Sequence, residues 1–147
     1  MLCMSAFVFA GFGKGAAGGA GSSNGTFNVT DANRFVVFTS KAQLVEYARS
    51  HDGDFFNVPA GELGSYGDEF FATKALVLFL TDGMSGSIKV QCEGYELKGD
   101  QLHVTVKELS PPIHTMDLRY NSLTVAVPQD VASQINKVVL NSYRVEI

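Results

Sequence analysis

Positive charge is sparse in this 147-residue chain. Eleven Lys+Arg stand against fifteen Asp+Glu, a net charge of −4, and no two basic residues are adjacent. Nucleic-acid affinity comes from phosphate neutralisation by a basic patch or stripe. Contact with an acidic membrane surface needs a similar cluster. Neither is expected as a partner here. Cysteine is sparse too, with Cys3 and Cys92 only; loss of the N-terminal segment would leave one thiol and no internal disulfide. No run reaches the roughly 18–20 apolar residues that cross a bilayer as a helix.

Catalytic patterns are also lacking. His51, His103 and His114 stand at no metal-ligand spacing and no acidic residue completes one, so neither a metal nor another cofactor is expected. Gly83-Met-Ser85-Gly86-Ser87 lacks the last glycine of a hydrolase nucleophile elbow, and a strand rather than a helix is expected after it. Cys92 shares a strand face with Ile88 and Val90 and reads as a buried, inert thiol. The N-terminal glycines are no phosphate loop, because the Gly-Lys-Ser/Thr ending is missing. The chain therefore reads as a non-enzyme.

What is present is uneven. Residues 1–25 carry one charge, Lys14, and seven of the 15 glycines. Met1 to Phe12 is nearly all apolar, and a run of about 7–15 such residues fits the centre of a secretory signal. It ends in Phe9-Ala10-Gly11, like the approach to a lipoprotein cleavage site, but Phe12 stands where the lipidated cysteine is required. Residues 13–27 have the composition of a glycine-rich flexible tether. Residues 28–147, about 120, suit a single core. The layout is export segment (1–12), tether (13–27) and domain (28–147), which implies an exported protein of the cell envelope or extracellular space; the alternative for the first residues is a buried N-terminal strand or helix followed by a long loop. No transmembrane helix is expected in the mature chain.

Within the domain, Arg34-Phe-Val-Val-Phe38 reads as a strand. Ser40 with Gln43 has capping-box spacing and opens a helix whose apolar stripe is Leu44, Tyr47, Ala48 and Val45, ending at His51-Asp52-Gly53. Residues 53–66 read as a loop, and Tyr66 to Phe71 as one helical turn. The unbroken run Ala75-Leu-Val-Leu-Phe-Leu80 fits a strand buried on both faces. Alternating strands follow: Ile88, Val90, Cys92; then, after the Lys98-Gly-Asp100 hairpin, Leu102, Val104, Val106; then Leu123, Val125, Val127. One or two more lie between Val138 and Ile147. Repeated βαβ units are missing, so the expected fold is α+β, a predominantly antiparallel sheet or small sandwich with one N-terminal helix.

The connection Ile113 to Asn121 is the candidate binding region. It carries His114, Asp117, Arg119 and Tyr120 after the Pro111-Pro112 stop, and loops on a rigid sheet often carry function. Tyr66-x-x-Glu69-Phe-Phe71, Lys74-Ala-Leu-Val-Leu-Phe-Leu80, Ser85-Gly-Ser-Ile88 and Pro111…Thr124-Val-Ala-Val-Pro128 together resemble the C-terminal domain of the protease-complex accessory subunit family (PrcB-type) and related uncharacterised bacterial lipoproteins. The resemblance spans residues 66–130. It implies an exported, non-catalytic accessory domain acting on a protein partner at the envelope, such as a surface protease, and it carries no active site. An alternative expectation is a binding domain for a small molecule or cell-wall fragment, its pocket lined by some of the 11 Phe and 5 Tyr.

Overall fold

The apolar run at 75–80 sets the architecture. The computed structural model describes residues 2–3, 27–32, 34–81 and 83–147. Among them the strands are β1 (Leu2–Cys3), β2 (Asn28–Asp31), β3 (Phe35–Phe38), β4 (Lys74–Leu80), β5 (Met84–Ser85), β6 (Lys89–Lys98), β7 (Gln101–Ser110), β8 (Leu118–Arg119), β9 (Ser122–Pro128) and β10 (Lys137–Glu146). The helices are α1 (Lys41–Ser50), α2 (Asp68–Phe71) and α3 (Gln129–Ala132), with a 3₁₀ helix at Ala60–Ser65. Apart from Leu2, Cys3 and Phe27, the expected export segment and tether lie outside the described residues. Phe27 sets its ring edge-on to Tyr143, with centroids 5.4 Å apart.

Two four-stranded sheets form, ordered β1-β9-β4-β3 and β2-β10-β7-β6, and β5 pairs with β8 in a separate ribbon. From Ala75 onward β4 is buried on both faces, as an unbroken apolar run predicts. Ala75, Val77 and Phe79 point between the sheets, beside Leu123, Val125 and Val127 of β9. Opposite them lie Leu102, Val104 and Val106 of β7 and Val138 and Leu140 of β10. Leu76, Leu78 and Leu80 point the other way and pack under Phe38, Leu44 of α1, Phe56, Val58, Tyr66 and Phe71. The result is a sheet sandwich with a third layer of helix and loop on the first sheet.

Local signals act as expected at α1. Ser40 Oγ accepts the N–H of Gln43 at 3.2 Å. Gln43 returns the bond one residue early, its Oε1 accepting the Thr39 N–H at 2.7 Å. Gly99 takes φ +65°, the left-handed conformation that the tight β6–β7 turn requires.

Several details depart from the sequence reading. The long pairing of β7 with β10, Gln101 opposite Lys137 through Ser110 opposite Glu146, is parallel, as is that of β1 with β9. Parallel neighbours need a crossover connection. Here the chain leaves β7, passes through β9 of the other sheet and α3, and returns as β10. Cys92 is disulfide-bonded rather than an inert thiol. Strand alternation reports which face a thiol occupies, and it carries no information on oxidation state.

Candidate functional site

The polar connection between β7 and β9 is built as a flap. Pro111-Pro112 cannot continue the ladder, so the chain leaves the sheet at Ser110, where the Ser110 carbonyl accepts the N–H of Ile147 at 3.0 Å. The chain then turns back, and β8 pairs antiparallel with β5, Leu118 opposite Ser85 and Arg119 opposite Met84. The base of the flap is closed twice. Thr81 donates its N–H to the Asn121 carbonyl at 2.9 Å, and Asn121 donates its own N–H to Thr81 Oγ1 at 3.1 Å.

Small hydroxyl side chains pin its two arms together. Ser85 Oγ donates to the Thr115 carbonyl at 2.9 Å, and the Thr115 N–H donates to Ser87 Oγ at 3.3 Å. Asp117 accepts the Gly86 N–H at 3.2 Å and the Thr115 hydroxyl. Arg119 Nε lies 3.4 Å from Asp117 Oδ2. Gly86 suits this close approach, since a Cβ there would overlap the Asp117 carboxylate and force that side chain to shift.

The Thr115 hydroxyl above all, then the Gly86 N–H and the Arg119 charge, hold the Asp117 carboxyl below its ordinary 3.8. A depressed carboxyl stabilises the flap at pH above its unfolded value, and that contribution is lost as pH falls through the folded one. The Gly86 amide resonance is therefore expected to titrate with a midpoint below 3.8, and its protection from hydrogen exchange, relative to the intrinsic rate at each pH, to fall across the same window. A midpoint at or above 3.8 would show that the clasp is not formed.

The four expected site residues all fall on this flap, but they do not converge on one point. Asp117 and Arg119 pair with each other. His114 turns back, its Nε2 2.7 Å from Ser110 Oγ, and ties the turn to β7. Tyr120 packs against Phe55, ring centroids 6.0 Å apart, and the Phe55 carbonyl accepts Ser122 Oγ at 2.7 Å. The polar residues thus hold the flap's shape.

What the flap presents to solvent is apolar. Met116 is fully exposed, Ile113 is 82% exposed, Leu118 66% and neighbouring Phe55 62%. Such clustering of large apolar side chains marks an interaction site more often than a chance surface. The sequence reading named the polar residues of 113–121 and passed over Ile113, Met116 and Leu118. The signal lay in their spacing, apolar residues two or three apart in a segment too short and proline-flanked to reach the core.

Other features lie elsewhere. His51 caps α1, its ring stacked 3.8 Å from that of Tyr47. His103 is half-buried on the outer face of the second sheet, between Gln101 and Asn141, where burial and then the Lys98 charge lower its pKa. A groove of about 760 Å³, open to solvent, runs over α2 and is lined by Gly64, Asp68, Glu69, Phe70, Thr73 and Lys74 among others. Among the described residues no group of three or more His, Cys, Asp or Glu is placed to hold a metal. No helix of the described residues is long and apolar enough to cross a membrane.

No family model, curated protein or solved structure matches the chain.

Proposed function

We propose that this chain is an exported, non-catalytic interaction domain of the bacterial cell envelope that grips a protein partner through the apolar tip of its flap. One observation carries the reading. Ile113, Met116 and Leu118 are held out in solvent by a flap whose polar groups are spent on its own rigidity. A surface ordered before contact loses less entropy on binding. Export rests on the apolar run of 1–12 and the glycine-rich composition after it. Association with a surface protease, in the manner of PrcB-type accessory subunits, rests on the resemblance over 66–130.

The triple variant Ile113→Ser, Met116→Ser, Leu118→Ser tests it. Immobilised wild-type chain should retain a discrete envelope protein, and the variant should retain it at least about thirty-fold less well, with its melting temperature little changed. Equal retention by the two chains would overturn the flap's role.

A further inference from the structure

The flap strand β8 is paired on one flank only. β5 lies beside it, and its other flank borders no strand among the described residues. Every residue from 112 to 120 is exposed, so nothing described covers that flank. Alternate N–H and C=O groups of such an edge point outward and can pair with a further strand. The bonds from Ser85 to Thr115 and from Gly86 to Asp117 hold the edge in place before any contact.

The side chains along this edge are complementary to their own copy. Met116, Leu118 and Tyr120 are apolar and exposed. Leu118 and Tyr120 share a face, since both lie over Gly83, each 3.0 Å from where a Cβ there would stand. Asp117 and Arg119 alternate with them and lie 3.4 Å apart. Two such strands laid antiparallel about a two-fold axis at Leu118 bring Leu118 opposite Leu118, Met116 opposite Tyr120 and Asp117 opposite Arg119. Each carboxylate then touches a guanidinium of its own chain and one of the other. A slip of two residues either way sets Asp117 against Asp117 or Arg119 against Arg119, which is unfavourable. Charge therefore selects one register.

We infer that the free flank of β8 is a dimerisation edge whose occupant is the β8 of a second copy of this chain. The two flaps join by main-chain hydrogen bonds into one four-stranded ribbon, ordered β5-β8-β8-β5. The contact is isologous and closes on itself, so it ends at two chains. Met116, Leu118 and Tyr120 of both copies then form a single apolar face. The pairing uses the edge of the flap, whereas the reading above uses its apolar face. Association of the purified chain with itself and retention of an envelope protein are separate measurements, so either proposal stands if the other fails.

Sedimentation equilibrium of the full chain tests the association. The mass should rise from 15.8 kDa toward twice that value as concentration is raised to about 0.5 mM, a range suited to a small, weak interface. Arg119→Glu sets like charges in both cross pairs and should weaken association at least about ten-fold with little change in melting temperature. Cysteine pairing under mild oxidation tests the register, with wild-type chain as the background. Leu118→Cys should cross-link to itself, because the two positions face each other at about 5 Å. Met116→Cys should not, because its two copies stand about 13 Å apart along the strands, but it should cross-link to Tyr120→Cys when the two variants are mixed. A mass of 15.8 kDa at every concentration, unweakened association of Arg119→Glu, or self-linking of Met116→Cys as efficient as that of Leu118→Cys would each overturn the inference.

Discussion

Phe79→Ala is expected to cost about 4 kcal/mol, because a buried phenyl ring is removed from a site that cannot collapse to fill the space. Phe79 has no solvent exposure and lies between the two sheets, opposite Phe35 in one ladder and Leu123 in the other. Domains of this size are stable by only about 5–15 kcal/mol, so the variant should melt roughly 15 °C lower. Leu78→Ala should cost about 3 kcal/mol, although its side chain points to the opposite face, into the layer under α1. Sensitivity at two adjacent positions separates a strand buried on both faces from one with a solvent face, where every second residue is tolerant. Met116→Ser, at a fully exposed position, should stay within about 0.5 kcal/mol. Urea unfolding of the three variants measures all of this. A small cost at either Phe79 or Leu78 would contradict the three-layer arrangement.

Gln129→Glu should be more damaging than Gln129→Ala. The Gln129 side-chain nitrogen donates toward three carbonyls, Thr39 at 3.2 Å, Phe71 at 3.1 Å and Lys74 at 2.6 Å, while its backbone N–H donates to Thr73 at 3.1 Å. One side chain thus joins the start of α3 to the end of α2, the start of β4 and the segment entering α1. Alanine removes these bonds and leaves the carbonyls partly accessible to water, at about 2 kcal/mol. Glutamate is nearly isosteric but directs a charged acceptor at three acceptors, at about 3 kcal/mol near neutral pH. The introduced carboxyl should have a raised pKa in the folded state, so its penalty shrinks as pH falls and protonation restores one donor. Chemical denaturation of both variants at neutral and acid pH measures the gap. A glutamate variant as stable as wild type at neutral pH would show that the three carbonyls do not converge on this side chain.

Much of the fold is legible in the sequence where one physical rule dominates. The double burial of Lys74–Leu80 follows from an apolar run too short for a helix. Ser40, Gln43 and the Leu44 stripe specify α1, and Lys98-Gly-Asp100 specifies the β6–β7 turn. The parallel pairing of β7 with β10 is not legible, because alternation fixes which side chains share a face and says nothing of strand direction. The register shift between Cys92 and Gly94 in β6 is hidden for a similar reason: one extra residue breaks the alternation that the reading relies on. At the site, attention to charge and aromaticity found Asp117, Arg119, His114 and Tyr120, which prove to be the flap's fastenings. Its exposed face is made by Ile113, Met116 and Leu118, residues that sequence patterning assigns to cores by default.

The central claim is that the flap tip touches a partner and the far end of the sandwich does not. A photoreactive amino acid placed at Met116, or instead at Lys98 in the hairpin at the opposite end of β6 and β7, tests it most directly in cells that produce the full chain. A discrete protein adduct from position 116 with none from position 98 is the predicted result. Adducts of the same pattern from both positions, or none from position 116, would contradict it.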